Sequence, residues 1–285
     1  MPIDPAAVGA SDGPHESSWS SYECMRYAIG VGAAAEDPLG TELAYVTENT
    51  QGMPLRALPT MCTVLGGVLH APSPMARIGT YDRKMSVHGS VEFVLHQSLP
   101  TEAVVRSTIT VDGIHDKKSG ALVNLRVGAV DVGGSELFTV VSGIFIRGEG
   151  GWGGDPGPAW PAPPLPTTEP EAVVIQHTRL DQPLLYRLNG DRNPLHSDPA
   201  VARAAGFDRP ILHGLCTVGF VGRALLPVAC DGDPGAVLGF GCRFAAPAFP
   251  GAQLETRIWR TPRGVQFEVH SDGRVVLSAG YLDLR

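Results

Sequence analysis

The chain has 285 residues, of which 43% are hydrophobic and 18% charged, with a net charge of −7 and no long basic run. That is enough apolar material to bury a core in one large domain or two ordinary ones, which excludes a disordered chain. An acidic chain without a basic run is not built to neutralise a nucleic-acid backbone, so no nucleic-acid partner is expected. Five cysteines (Cys24, Cys62, Cys216, Cys230 and Cys242) lack CxxC spacing, and most sit among apolar neighbours. They read as buried thiols in a reducing compartment, not as a disulfide frame or a zinc site. The stretch Met1-Pro-Ile-Asp-Pro lacks the regions of a signal peptide, and the last three residues are not a peroxisomal address. No apolar run approaches the roughly 20 residues that span a bilayer. A cytoplasmic protein without a membrane span is the expectation.

In chain order, residues 1–18 are polar and broken by Pro and Gly, and read as a lead-in arm. Residues 19–31 read as a helix, with Tyr22, Met25, Ala28 and Ile29 at helical spacing. Residues 43–46 suggest a short strand. An apolar run opens at Leu58 with Pro59 and Thr60, which suits a helix start, and Gly66-Gly67 shortens or breaks it. Residues 90–95, 103–111, 121–130 and 137–146 are rich in Val, Ile, Thr and Phe with turn residues between, and predict an antiparallel meander. Residues 148–170 are largely Gly, Pro, Trp and small residues and read as a linker.

The second half repeats this logic. A strand at 172–180, a helical turn at 184–188 and a helix at 199–205 precede a long apolar helix at 215–228. Strands at 237–244, 254–260, 265–270 and 275–284 follow. The weak internal repeat suggests two units, 1–147 and 171–285, joined by 148–170. Each would be a helix wrapped by an antiparallel sheet, and side by side they would share one curved sheet.

The densest chemistry lies in Tyr186-Arg-Leu-Asn-Gly-Asp-Arg-Asn-Pro-Leu-His196. Pro194 blocks a regular helix and disfavours the α conformation at Asn193, so the segment is a turn. It can aim Asp191 and His196 at one water, one group taking a proton while the other delivers one. Gly214 opens an apolar helix, where free N–H groups and the positive dipole end suit an oxygen gathering negative charge. Taken singly, each residue also has a plain structural reading. Asp191 could cap a turn, Gly214 could serve packing, Lys117 could be a solvated turn lysine and His88 a polar loop residue. Cys216 reads as a core thiol on the helix.

Taken together, 186–199 and the run Ala205-Gly-Phe-Asp-Arg-Pro-Ile-Leu-His-Gly-Leu215 closely resemble the hydratase 2 motif of MaoC-like (R)-specific 2-enoyl-CoA hydratases. The resemblance extends over nearly the whole chain through Tyr27-Ala-Ile-Gly-Val-Gly32, Leu58-Pro-Thr60, His88-Gly89, Asp116-Lys117 and Phe244-Ala-Ala-Pro247. It implies an α+β double hot-dog fold and reversible hydration of a trans-2-enoyl-CoA to a (3R)-3-hydroxyacyl-CoA. By position, Asp191 and His196 would be the catalytic pair and Gly214 the oxyanion donor. Asn193 would support the pair, and His88, Gly89, Lys117 and Phe244 would contact the acyl-CoA. Base and acid stay unassigned within the pair. Family members often continue His-Gly with Glu-Gln, where this chain has Ser90-Val91.

No metal and no cofactor are implied, since the substrate carries the CoA. The acyl group is open between short, long-chain and steroid side-chain esters, and the N-terminal unit would form its pocket. A homodimer is common among such folds. The alternatives are a 3-hydroxyacyl-thioester dehydratase working on a carrier protein, a hot-dog thioesterase, and a non-catalytic acyl-CoA-binding protein.

Overall fold

The computed structural model describes residues 3–66 and 73–285. Its N-terminal half carries β1 (Ser11–Trp19), α1 (Ser21–Gly30), α2 (Leu43–Val46), β2 (Ser86–Leu95), β3 (Ala103–Asp116), β4 (Gly120–Asp131) and β5 (Glu136–Arg147). The C-terminal half carries β6 (Ala172–His177), α3 (Gln182–Tyr186), α4 (Pro199–Ala204), α5 (Gly214–Ala229), β7 (Val237–Phe244), β8 (Gln253–Thr261), β9 (Gly264–Ser271) and β10 (Arg274–Leu284). All ten strands join one antiparallel sheet in the order β1-β3-β4-β5-β2-β7-β10-β9-β8-β6. This is the double hot-dog architecture, with the two halves sharing the sheet through β2 and β7.

The seam between β2 and β7 pairs Val91 with Cys242 and Phe93 with Phe240. The rings of Phe93 and Phe240 stack 5.3 Å apart at 9°, a parallel contact that adds to their burial. The larger of two apolar clusters among the described residues runs across this seam, from Tyr27 and Met61 through Phe220 to Phe267. The sheet wraps α5, which is buried along nearly its full length.

Two glycines let the N-terminal half approach α5 closely. A Cβ on Gly219 would stand 2.3 Å from Val31 Cγ1, and one on Gly222 would stand 2.5 Å from Thr60 Cγ2. Arg223, on the same helix, donates to both Glu42 carboxylate oxygens and to the Val31 carbonyl. Such a bidentate pair orients the helix as well as holding it.

Three sequence expectations are corrected. Residues 11–19 are not a loose arm but the edge strand β1, registered on β3 from Ser11 opposite Thr110 to Trp19 opposite Ala103. Its polar sequence hides a strand whose partner supplies the pairing through the backbone. Residues 43–46 form a helical turn, not a strand. The first strand of the C-terminal half ends at His177, three residues early. The run at Leu58 forms a 3₁₀ helix, Pro59–Val64, and Gly66 adopts φ +63°, a left-handed conformation that favours glycine. The rest of that apolar run, from Gly67, lies outside the described residues.

Residues 148–170 contain no regular element, yet they are pinned to the sheet. The Asp116 carboxylate accepts N–H groups from Lys118, Gly151, Gly153 and Gly154. Lys117 Nζ donates to the Pro156 carbonyl. Trp160 donates to the Ala279 carbonyl at 2.7 Å, with the Arg243 guanidinium over its ring at 4.9 Å. This segment is a strap laid along the outer face of the sheet.

Candidate active site

The loop between α3 and α4 is shaped by three local devices. Gly190 takes φ +118°, a left-handed conformation that ends the helical turn after Asn189. The Asn193 side-chain oxygen then accepts the Leu195 N–H at 3.1 Å and caps the short 3₁₀ turn Pro194–His196. The Asn193 backbone N–H donates to Asp191 Oδ1 at 3.1 Å. Asn193 therefore orients both Asp191 and the turn that carries His196.

His196 is fixed from the other side. Its Nδ1 lies 2.9 Å from the Ile211 carbonyl, which can only accept, so Nδ1 carries the proton and Nε2 keeps a lone pair. Burial holds this imidazole below the ordinary histidine range, against the opposing pull of the Ile211 carbonyl and Asp191. It is neutral at pH 7.

His213 completes the group. Its Nε2 donates to the Asp191 backbone carbonyl at 3.2 Å, and its ring stacks on that of His196 with centroids 3.8 Å apart. Burial, reinforced by His196, pushes its pKa down to about 3. Ligand-capable atoms of Asp191, His196 and His213 all lie within 4.8 Å of one another. This is the one such cluster among the described residues, and so the only candidate there for gripping a cation. Each imidazole already spends one nitrogen on a carbonyl.

Gly214 begins α5 directly after His213. The His213 carbonyl accepts the N–H groups of Cys216 and Thr217. The N–H groups of Gly214 and Leu215, in the first turn, have no intrahelical acceptor and lie at the positive end of a 16-residue helix. A Cβ on Gly214 would lie 2.7 Å from Phe244 Cε1, so glycine is what allows that ring to close over the helix end.

The Phe244 ring lies 4.7 Å from that of His88. His88 faces this side because of Gly89. In the pairing of β2 with β5, His88 stands opposite Ile144 and Ser90 opposite Gly143, so Gly89 is an extra, bulged residue. The bulge interrupts the alternation and turns His88 toward Asp191. Burial lowers the His88 pKa to about 4, only partly opposed by the Ser90 backbone and by Asp191. Its Nε2 is shut off from solvent and has no hydrogen-bond partner.

The structure thus brings Asp191, His196, Gly214, Asn193, His88 and Phe244 to one corner. Lys117 lies elsewhere. With Gly89, Arg243, His115 and Trp160 it lines a cavity of about 470 Å³ on the outer face, roofed by the strap. In the sequence motif His213 carries no role of its own. Its signal was its place, immediately before the first residue of a long helix and after an apolar pair.

Residues 162–279 match the MaoC like domain, and residues 18–148 match the MFE-2 hydratase 2 N-terminal domain. The chain is 40% identical to the 3-hydroxyacyl-thioester dehydratase Y of Mycobacterium tuberculosis, over 99% of both chains. The chain belongs to the MaoC-like hydratase 2 family. A second family member from Mycobacterium tuberculosis, Enoyl-CoA hydratase ChsH3, is 37% identical over 98% of both chains. Among solved structures, the MaoC-like dehydratase of Phytophthora capsici superposes with a TM-score of 0.89 and 25% identity, covering 99% of this chain and 98% of its own. Such a score over the full length extends the family likeness to both hot-dog halves.

Proposed function

We propose that the protein is an (R)-specific 2-enoyl-CoA hydratase that adds water reversibly to a trans-2-enoyl-CoA, giving a (3R)-3-hydroxyacyl-CoA. The carrying observation is the pairing of His196 with Asp191 at the foot of α5. The Ile211 carbonyl fixes the His196 tautomer so that Nε2 and the nearby carboxylate are both acceptors. A water between them donates one hydrogen to each. As the pair removes one proton, the water oxygen bonds to C3 and the C2–C3 π electrons move toward the thioester carbonyl. The free N–H at Gly214 is suited to donate to the resulting enolate oxygen. The pair then delivers a proton to C2, so one water is consumed and the pair is restored.

This chemistry needs proton transfer and a hydrogen-bond donor, both supplied by the chain, and in this reading no metal or redox cofactor takes part. His88 and Phe244 border the same corner and would hold the thioester end. The basic Lys117 and Arg243 suit CoA phosphates. All five cysteines are free thiols, which fits a reducing, cytoplasmic setting. No described helix is long and apolar enough to cross a membrane.

Asp191→Asn and His196→Gln should each lower hydration of crotonyl-CoA and longer enoyl-CoAs by about 10²–10⁴-fold. Circular dichroism should show the fold retained, and chiral analysis should show the (3R) product. Turnover near wild type in either variant sinks the assignment.

The name of the 40% identical relative favours one second reading, the same chemistry run toward dehydration. The same residues catalyse both directions, so comparing CoA with carrier-protein thioesters separates the two roles. Kinetics across short, long and steroid enoyl-CoAs identifies the acyl group.

A further inference from the structure

We infer that His213 is the positioning residue of this site, holding Asp191, His196 and the helix that carries Gly214 in one fixed relation. The inference rests on the hydratase reading for its kinetic arm and on geometry alone for its spectroscopic arm.

Three contacts carry it. The His213 ring nitrogen Nε2 donates to the Asp191 backbone carbonyl at 3.2 Å, tying down the peptide that bears the carboxylate. Its ring lies on the His196 ring at 3.8 Å and 28°, closing one face of that imidazole to water. Its own carbonyl receives the Cys216 and Thr217 N–H groups, so the residue also starts α5 and sets where Gly214 points. No other described residue is bonded to the Asp191 peptide, stacked on His196 and adjacent to Gly214.

The protonation state follows from the partners. The Asp191 carbonyl can only accept, so Nε2 holds the hydrogen and Nδ1 is bare. Nδ1 is buried without a partner, and the residue is 1% exposed. His213 therefore stays a neutral donor through the working pH range, in line with its low pKa, and takes no proton from the reaction. The ring is itself held from behind by Tyr186, 4.9 Å away, and Tyr186 by Tyr27 of α1, 6.4 Å away. Through these rings the N-terminal half braces the catalytic loop of the C-terminal half.

The charged and titratable groups that bear on His196 and His213 are Asp191, Arg187 and Tyr186, whose ring packs on that of His213, besides each other. Asp191 favours a charged His196, whereas Arg187 disfavours a charged His213. Stacking His213 on His196 withdraws water and favours the neutral, proton-accepting form that the reaction requires.

Two variants separate the contacts. His213→Phe keeps a stacked ring and removes the donor to Asp191. It should lower kcat about 10–100-fold, as a misplaced catalytic group does, with KM little changed. His213→Gln restores an amide donor and removes the ring. It should recover most of the kcat lost in His213→Phe, while the acid limb of kcat/KM moves to higher pH as water reaches His196. Histidine NMR of the full chain tests the same point without turnover. His196 should titrate higher in His213→Gln than in wild type and little changed in His213→Phe.

Wild-type kcat in both variants overturns the inference. So do equal losses with an unmoved pH profile and an unmoved His196 titration, which mark a merely structural residue. If the wild-type chain hydrates no enoyl-CoA, the functional reading fails, and the NMR arm still decides the role of His213.

Discussion

His88 and His213 are neutral in the folded chain because burial has removed the water that would solvate an imidazolium. The His88 pKa falls from 6.5 to about 4, and that of His213 from 6.5 to about 3. Below pH 6.5 the unfolded chain binds protons that the folded chain refuses, so stability falls as pH falls. For His88 the loss spans pH 6.5 to about 4 and amounts to roughly 3 kcal/mol, on the scale of about 1.4 kcal/mol per pH unit. His213 acts in the same direction and continues to lower pH. Urea midpoints should therefore drop between pH 7 and pH 5, and His88→Gln should flatten that dependence. An equally steep drop in His88→Gln assigns the acid sensitivity to other groups. These low pKa values were not legible in the sequence, where His88 looks like any polar loop residue. That of His88 arises from the Gly89 bulge and the closure of Phe244, which depend on strand register, and that of His213 from burial beside His196.

The helix α5 was the element most readable from sequence, because its long apolar run admits few other structures. Its start is where packing and chemistry compete for one atom. The Phe244 ring occupies the volume of a Gly214 side chain, and His88 limits its retreat. Gly214→Ala should displace Phe244 and screen the first-turn N–H groups. Loss of one such donor lowers kcat by about 10²–10³-fold. Steady-state kinetics should show the loss mainly in kcat, with a melting temperature close to wild type. A variant with unchanged kcat removes Gly214 from the oxyanion role. Other elements were less legible for definite reasons. The strand β1 has the sequence Ser-Asp-Gly-Pro-His-Glu-Ser-Ser-Trp, with no β-branched residue, so nothing in its pattern announces pairing. The turn α2, Leu-Ala-Tyr-Val, is too short for periodicity to separate helix from strand. The 191–196 turn was legible because Pro194 and Asn193 dictate local geometry.

At the scale of the molecule, the shared sheet assigns its two faces different tasks. Along β2 and β7 alternate residues point to opposite sides. Val91, Phe93, Phe240 and Cys242 join the core that holds α5, while Ser90, Glu92 and Arg243 line the outer cavity with Lys117. A motif lists His88, Gly89 and Lys117 in one breath, whereas the sheet sends His88 to the corner with Asp191 and Phe244 and Lys117 to the roofed cavity. That division is a property of register and of the bulge at Gly89, and sequence spacing does not carry it. The strap decides whether the outer cavity is preformed. It has almost no regular hydrogen bonding of its own, and Asp116 gathers three of its N–H groups together with that of Lys118. These bonds, that from Gly151 foremost, hold the Asp116 carboxyl below the usual carboxylate range. Asp116→Ala removes all four acceptor contacts while leaving Asp191, His196 and Gly214 untouched. Binding would then have to order the strap, a cost that weakens affinity about 2–10-fold. If Lys117 and Arg243 take the CoA phosphates, as proposed, that penalty should appear as a raised KM for enoyl-CoA. kcat should be unchanged, and KM should hold for a short pantetheine thioester that lacks the nucleotide. An equal rise in KM for both thioesters places the strap's effect on the acyl or pantetheine portion instead.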